Sequence, residues 1–168
     1  RTEQREISKY REEIMQEVSV IIPNFNGMAY LDGVLAGLEC QTVNNFEVIL
    51  VDNGSSDGSC AFVAARYPWV HLIELPENFG FCKAVNEGIK ASRAPYVLLL
   101  NNDIEVTENF IEEMISAIRR HPKAFSCAAR MIQFHDRDKL DDAGNYYCAL
   151  GWSFARGKGK DIEQYQKE

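Results

Sequence analysis

Four short apolar segments, each followed by a stretch with helical spacing, restrict the fold of this chain more than any other feature. The segments are residues 18–22, 46–51, 70–75 and 96–100, and all are rich in Val, Ile or Leu. Apolar strands of this kind are buried on both faces of a parallel sheet. Residues 31–38 place leucine and valine side chains on one helical face. The alternation predicts a three-layer α/β/α sandwich with a mostly parallel central sheet.

The pattern also predicts how the chain is divided. A further apolar stretch, residues 125–132, predicts a fifth strand. We predict an α/β core at residues 18–135 and the start of a different region at residues 136–168. Residues 1–17 are polar with helix-like apolar spacing, which fits a helix docked on the core and a solvated leader equally well.

Charge and cysteine content exclude several classes of protein. The formal net charge is −7, which argues against non-specific binding of nucleic acid. An anionic ligand would need local cations, backbone N–H groups or a metal ion. The five cysteines include no CxxC pair, which favours reduced thiols in a cytosolic protein. No apolar run approaches the ~20 residues that span a bilayer.

Polar side chains follow the first, second and fourth apolar segments at the point where each ends. Pro23 and Asn24 follow the first segment, Asp52 and Asn53 the second, and residues 101–103 the fourth. Ligands of parallel α/β sheets bind outside the carboxyl ends of the strands. The sequence therefore predicts that these groups meet at one ligand-binding edge.

Asp103 is the candidate metal ligand of this edge. Mg²⁺ and Mn²⁺ prefer oxygen ligands, and Mg²⁺ often takes only one or two carboxylates together with substrate phosphates. A single loop carboxylate therefore fits a metal that arrives with a diphosphate. The alternative is a turn carboxylate that solvates the end of the strand.

Two further loops carry candidate ligand contacts. Asp52 is suited to accept a hydrogen bond from a ribose hydroxyl or from the imide N–H of a base, and it also suits a turn that closes its own loop. Asn78 and Gly80 precede Lys83, which lies one turn into the next helix. Lys83 is placed either to face a phosphate or to be a solvated surface lysine.

Other common sites are excluded or disfavoured. The sequence contains no GxGxxG after the first strand and no GxxxxGK[ST], and its three histidines do not cluster with cysteines. A receiver domain would need an acidic pair where Asn24 and Asn26 stand. A nucleotidyltransferase would want a basic glycine-rich loop, and "PNFNG" has no Lys or Arg.

Four stretches together resemble family 2 glycosyltransferases, which have the GT-A fold. They are "VSVIIPNFNG" (18–27), "FEVILVDNGSSDGS" (46–59), "ENFGFCKAVNEGI" (77–89) and "YVLLLNNDIEV" (96–106). The spellings "PNFNG", "DNGSSDGS" and "LLNND" look most like a rhamnosyltransferase-like branch. The tail beyond residue 135 is similar to the start of the acceptor side in polysaccharide-assembling members.

The resemblance implies a role for each matching residue in holding a nucleotide sugar. Asp52 would bind the base or ribose, and Asn101 would accept from the ribose in place of the first Asp of the family's Asp-x-Asp element. Asp103 would bind Mg²⁺ or Mn²⁺. Pro23 and Asn24 would border the base, and Asn78 and Lys83 would line the nucleotide and diphosphate region. Asn53 and Asn102 would belong to the same nucleotide-sugar site.

The resemblance also implies a reaction. An inverting transfer would move a sugar from a UDP- or dTDP-linked donor to a glycan or lipid-linked acceptor in bacterial cell-surface polysaccharide synthesis. It would take place in the cytoplasm, with peripheral association at the inner face of the membrane through further parts. The family's catalytic base is expected downstream of Glu168, so this chain is expected to bind donor and turn over poorly. The alternative is a degenerate GT-A domain that acts as a non-catalytic scaffold.

Overall fold

The computed structural model describes residues 16–165, and the chain divides into two units. The first unit ends at Ile115 and the second begins at Ser116. Almost all of the leader predicted for residues 1–17 lies outside the described residues. The domain boundary at residue 135 stays a prediction.

The first unit contains a four-stranded parallel sheet. Its strands are β1 (Val18–Asn24), β2 (Phe46–Asp52), β3 (His71–Glu74) and β4 (Tyr96–Leu99), in the spatial order β3-β2-β1-β4. The helices that follow these four strands are α1 (Met28–Glu39), α2 (Ser59–Arg66), α3 (Phe81–Ala91) and α4 (Phe110–Arg120). The last helix crosses the boundary between the units. The predicted α/β fold with a mostly parallel sheet is confirmed.

Alternate residues of the central strands build two apolar layers. Val20 and Leu50 belong to one buried cluster, together with the inner faces of α1 and α2. Ile49 and Val51 belong to a second cluster with Ala84 of α3. Successive strand side chains point to opposite faces, so one sheet is covered on both sides.

β1 runs two residues further than the sequence predicts, and this extension places Asn24. Pro23 pairs with Val51 and Asn24 with Asp52, whereas pairing between β1 and β4 ends at Ile21. Proline has no N–H to give to a ladder. It is accommodated at position 23 because β1 has a strand neighbour on only one side there. Asn24 and Asp52 consequently end their strands side by side.

The second unit contains small antiparallel pairs. β5 (Met131–Ile132) pairs with β6 (Leu140–Asp142), and β7 (Asn145–Tyr147) pairs with β8 (Ser153–Ala155). A 3₁₀ helix follows at Ile162–Tyr165. Among residues 16–165, no helix combines the length and apolarity needed to cross a bilayer.

The predicted fifth strand at residues 125–132 is wrong for most of its length. Residues 125–130 form no strand, and only Met131–Ile132 pairs, in an antiparallel ladder outside the parallel sheet. Residues 126–129 read Ser-Cys-Ala-Ala, whose small side chains offer little apolar area to bury. Phe125 is fully exposed. The apolar run therefore did not identify a core strand, because its side chains offer too little apolar surface area to bury.

Two helical glycines are expected to respond in opposite directions to alanine. A Cβ on Gly88 of α3 would lie 2.4 Å from Cγ2 of the buried Ile21, whereas nothing lies within 4 Å of a Cβ on Gly33 of α1. Gly33→Ala should raise the free energy of unfolding by about 0.5–1 kcal/mol through helix propensity. Gly88→Ala should lower it by about 1–3 kcal/mol through overpacking.

Chemical denaturation of the two variants beside the wild type measures both shifts. Gly33→Ala is the matched control for Gly88→Ala, because both substitutions gain the same helix propensity and only Gly88→Ala adds a close contact. Equal stabilisation by both alanines would contradict the close packing of α3 on the sheet.

Candidate functional site

Asp52 is the last residue of β2, and its carboxylate is hydrogen-bonded by other groups of the protein. Its Oδ1 accepts from Asn24 Nδ2 at 2.8 Å and from Ser55 Oγ at 2.6 Å, and its Oδ2 accepts from the Ser55 N–H at 2.8 Å. Asp52 is only 2% exposed. The turn interpretation of Asp52 is therefore confirmed, whereas a contact with a ligand stays a prediction.

Two hydrogen bonds join the loop after β1 to the loop after β2. The Asn26 N–H donates to Ser55 Oγ at 2.8 Å, and Asn26 Oδ1 accepts from the Ser56 N–H at 2.9 Å. Asn26 has φ of 51°, a left-handed conformation that asparagine tolerates better than most residues. Hydrogen bonds from Ser59 and Met28 lower the pKa of Asp57. These hydrogen bonds from backbone N–H groups fix the loops after β1 and β2 relative to each other.

Asn53 fastens a third loop, residues 77–80, to the end of β2. Its Nδ2 donates to Asn78 Oδ1 at 2.8 Å, and its Oδ1 accepts from the Phe79 N–H at 3.0 Å. Asn78 Oδ1 also accepts from the Gly80 N–H at 2.9 Å. Gly54 has φ of 78°, and a Cβ there would lie 2.7 Å from the Glu77 Cα. The two loops therefore approach too closely for any side chain at position 54.

These loops enclose an open cleft of about 300 Å³ at the carboxyl ends of the strands, a volume at the lower end of small-molecule sites. Five of the predicted site residues line it: Pro23, Asn24, Asn53, Asn78 and Asn102. The predicted edge is therefore a real concavity of the first unit.

Sequence reasoning missed the aromatic part of the cleft. Phe25 and Phe81 line it together with Gly80 and Ala84. Phe25 is 48% exposed and Phe81 is 58% exposed. The available signal was an aromatic residue inside each otherwise polar loop, "PNFNG" and "ENFGF". Exposed aromatic rings beside amides form a surface that can stack on a flat ligand.

Four predicted residues do not line the cleft, namely the buried Asp52 and three residues with exposed side chains. Lys83 is half-exposed, and its Nζ lies 2.6 Å from Glu87 Oε1 in an i,i+4 ion pair. This arrangement matches the surface-lysine interpretation of Lys83. Asn101 and Asp103 are exposed on either side of Asn102, the member of the trio that lines the cleft. The Asn102 Nδ2 donates to Asn24 Oδ1 at 2.7 Å.

The residues near Asp103 fit a metal ion that brings ligands of its own. Within residues 16–165, no group of three or more His, Cys, Asp or Glu side chains could hold a metal ion. Asp103 is an exposed carboxylate, and none of the described groups donates a hydrogen bond to it. One free carboxylate suits an ion that takes its other oxygens from phosphate and water.

The family model described as "Glycosyl transferase family 2" matches residues 19–167. The glycosyltransferase GlyG of Streptococcus pneumoniae serotype 4 is 30% identical over 133 residues, which cover 77% of this chain and 42% of GlyG. TuaG of Bacillus subtilis strain 168, named as a candidate teichuronic acid biosynthesis glycosyltransferase, is 27% identical over 128 residues, covering 74% of this chain and 50% of TuaG. The chain thus spans about half the length of these relatives or less.

Two solved structures share the fold. TarS 1–349 of S. aureus in complex with UDP-GlcNAc has a TM-score of 0.59 and 22% identity, over 70% of this chain and 38% of TarS. The mannosyltransferase PcManGT of Pyrobaculum calidifontis, in complex with GDP-Man and Mn²⁺, has a TM-score of 0.57 and 19% identity, over 70% and 39% of the two chains. The first unit therefore has the GT-A fold.

Cys60, in the first turn of α2, is expected to resist alkylation. Burial, together with the neighbouring carboxylates of Asp52 and Glu74, raises the pKa of Cys60 to about 12. At pH 8 about 10⁻⁴ of such a thiol is ionised, against roughly a quarter of an ordinary cysteine thiol, and only the thiolate reacts. Iodoacetamide should therefore label Cys60 about 10³-fold more slowly in the folded chain than in guanidinium.

Peptide mapping by mass spectrometry gives this rate, and the exposed Cys82 serves as the reagent control in the same sample. Equal rates for Cys60 in the folded and unfolded chain would show that its thiol does not lie against the Asp52 carboxylate.

Proposed function

The chain belongs to glycosyl transferase family 2, and we propose that its cleft binds the nucleoside diphosphate of a sugar donor linked to UDP or dTDP. The observation that carries this proposal is the cleft itself, where amides from three loops surround two exposed phenylalanines. Amides donate and accept hydrogen bonds, so they suit a base and a ribose. The faces of Phe25 and Phe81 suit stacking on the base.

The cleft must hold an anion although the protein is acidic. The nine lining residues include no Lys, Arg or His, and Lys83 is already paired with Glu87. α3 begins at Phe81 on the wall of the cleft, and the first N–H groups of a helix attract negative charge. Mg²⁺ or Mn²⁺ at Asp103 would supply the remaining positive charge and stabilise the leaving diphosphate as a Lewis acid.

We further propose that the activity is an inverting sugar transfer to a glycan or lipid-linked acceptor. The support is membership of the family and the likeness to relatives such as TuaG. No catalytic base is assigned among residues 16–165. Asp141 lies 3.5 Å from Lys158 Nζ, and Asp142 Oδ1 accepts from the Gly144 N–H, so both belong to the second unit's own contacts.

Calorimetric titration of UDP and dTDP, with and without Mn²⁺, tests donor binding. The wild type should bind both nucleotides, because both present the same imide edge, and Mn²⁺ should tighten binding. Asp103→Ala should remove most of the Mn²⁺ effect while leaving metal-free affinity within about twofold. A metal-bridged diphosphate should gain at least about tenfold, or about 1.4 kcal/mol, from the ion.

Glu108→Ala is the matched control, since Glu108 is another exposed carboxylate of the same connection between β4 and α4. It should keep the full Mn²⁺ effect. If the folded wild type binds neither nucleotide, the proposal is wrong and the non-catalytic scaffold is favoured. If Asp103→Ala responds to Mn²⁺ as the wild type does, the metal is held elsewhere.

A further inference from the structure

Asn24 is almost completely buried, with 1% of its surface exposed, yet both ends of its amide are hydrogen-bonded to side chains that belong to different loops. Its Nδ2 faces Asp52 of the second strand, and its Oδ1 faces Asn102 after the fourth. The neighbours determine the orientation of the amide, because its oxygen can only accept a hydrogen bond and its nitrogen can only donate one.

Backbone N–H groups fix the orientation of Asn24. The Ser55 N–H donates to Asp52, and the Asn26 N–H donates to Ser55 Oγ. Ser55 Oγ uses its single proton on Asp52 Oδ1. Toward Asn24, both the Asp52 carboxylate and the Ser55 hydroxyl can therefore only accept. Asn24 must present its NH₂ group to them, at 2.8 Å and 3.3 Å.

The orientation of Asn24 then fixes that of Asn102. Since Asn24 Oδ1 can only accept, Asn102 must turn its Nδ2 inward, where it donates at 2.7 Å. The side-chain oxygen of Asn102, Oδ1, consequently faces the cleft, and none of the described groups donates a hydrogen bond to it. A carbonyl oxygen with free lone pairs on the wall of a polar cleft takes a hydroxyl or N–H donor.

We propose that Asn24 is a positioning residue. Its hydrogen bond to Asn102 turns the side-chain oxygen of Asn102, Oδ1, toward the cleft, where that oxygen accepts a hydrogen bond from a ribose hydroxyl of the nucleotide. This inference rests on the proposed function. It differs from the assignment implied by resemblance, in which Asn101 contacts the ribose. Asn101 is exposed and does not line the cleft, whereas Asn102 is half-buried and does.

Gly27 supports the Asn24–Asn102 contact independently. A Cβ built on Gly27 would lie 2.1 Å from Asn102 Nδ2 and 2.3 Å from Asn24 Oδ1, the two atoms of the hydrogen bond. No side chain fits beside this bond, so any substitution at position 27 must push its two partners apart. Gly27→Ala therefore breaks the contact between the loops without altering any polar group.

The test compares UDP with 2′,3′-dideoxyuridine 5′-diphosphate by calorimetric titration in the presence of Mn²⁺. The wild type should bind UDP about fivefold more tightly, the usual net effect of one neutral hydrogen bond. Asn102→Ala, Asn24→Ala and Gly27→Ala should each bring this ratio toward one. Asn101→Ala should keep it near the wild-type value. A purely structural role for Asn24 would weaken both ligands equally and leave the ratio unchanged.

Asn109→Ala, an exposed amide before α4, is the matched control, and thermal unfolding of every variant checks the fold. If Asn24→Ala does not fold, Gly27→Ala tests the positioning and Asn102→Ala tests the contact. A wild type that binds both ligands equally overturns this inference and leaves nucleotide binding established. A ratio retained by Asn24→Ala and Gly27→Ala, or lost in Asn101→Ala, also overturns it. A wild type that binds neither ligand overturns the proposed function and this inference with it.

Discussion

The parallel register of β1 and β2 is the constraint on which the site depends. It aligns Asn24 with Asp52 at the last pair of the ladder, so a buried carboxylate and a buried amide meet where the strands stop. A shift of β1 by one residue would turn Asn24 to the face of the sheet opposite to Asp52. The apolar pairs below, such as Ile22 with Leu50, therefore set the position of the polar pair above them.

Burying Asp52 is tolerable only because its oxygens are supplied with donors. A buried carboxylate without hydrogen bonds is costly, and a half-satisfied polar network is worse than an apolar core. Asn24 and Ser55 satisfy Asp52, and the backbone of the neighbouring loops satisfies Ser55 and Asn26 in turn. The structural role of these residues does not compete with ligand binding. It is what holds the amides of the cleft in fixed orientations before any ligand enters.

The layout of the sheet was predictable from the sequence, and the assignment of individual site residues was less so. Strand ends converge in any parallel sheet, so Asn24, Asp52 and Asn102 could be placed on one edge from their positions alone. Lys83 could not be assigned, because phosphate binding and an i,i+4 ion pair with Glu87 need the same position on a helix. The role of Asn24 was also out of reach, since it depends on Pro23 remaining in the strand. The strand predicted at residues 125–132 failed because periodicity ignores how much apolar area small side chains can bury.

The uncharged Asn101, at a position where the family resemblance implies an acidic residue, suits the charge of the proposed site. Asp52 and Asp103 already place two carboxylates on this edge of an acidic chain, near the position proposed for a diphosphate. A third carboxylate beside them would demand more positive charge than one divalent ion and the N-terminus of α3 supply. The Asn101 amide adds no charge at this edge. Neutral amides at positions 24, 53, 78 and 102 therefore line the cleft of an acidic protein without adding charge, and Asp103 is an exposed carboxylate suited to the proposed metal.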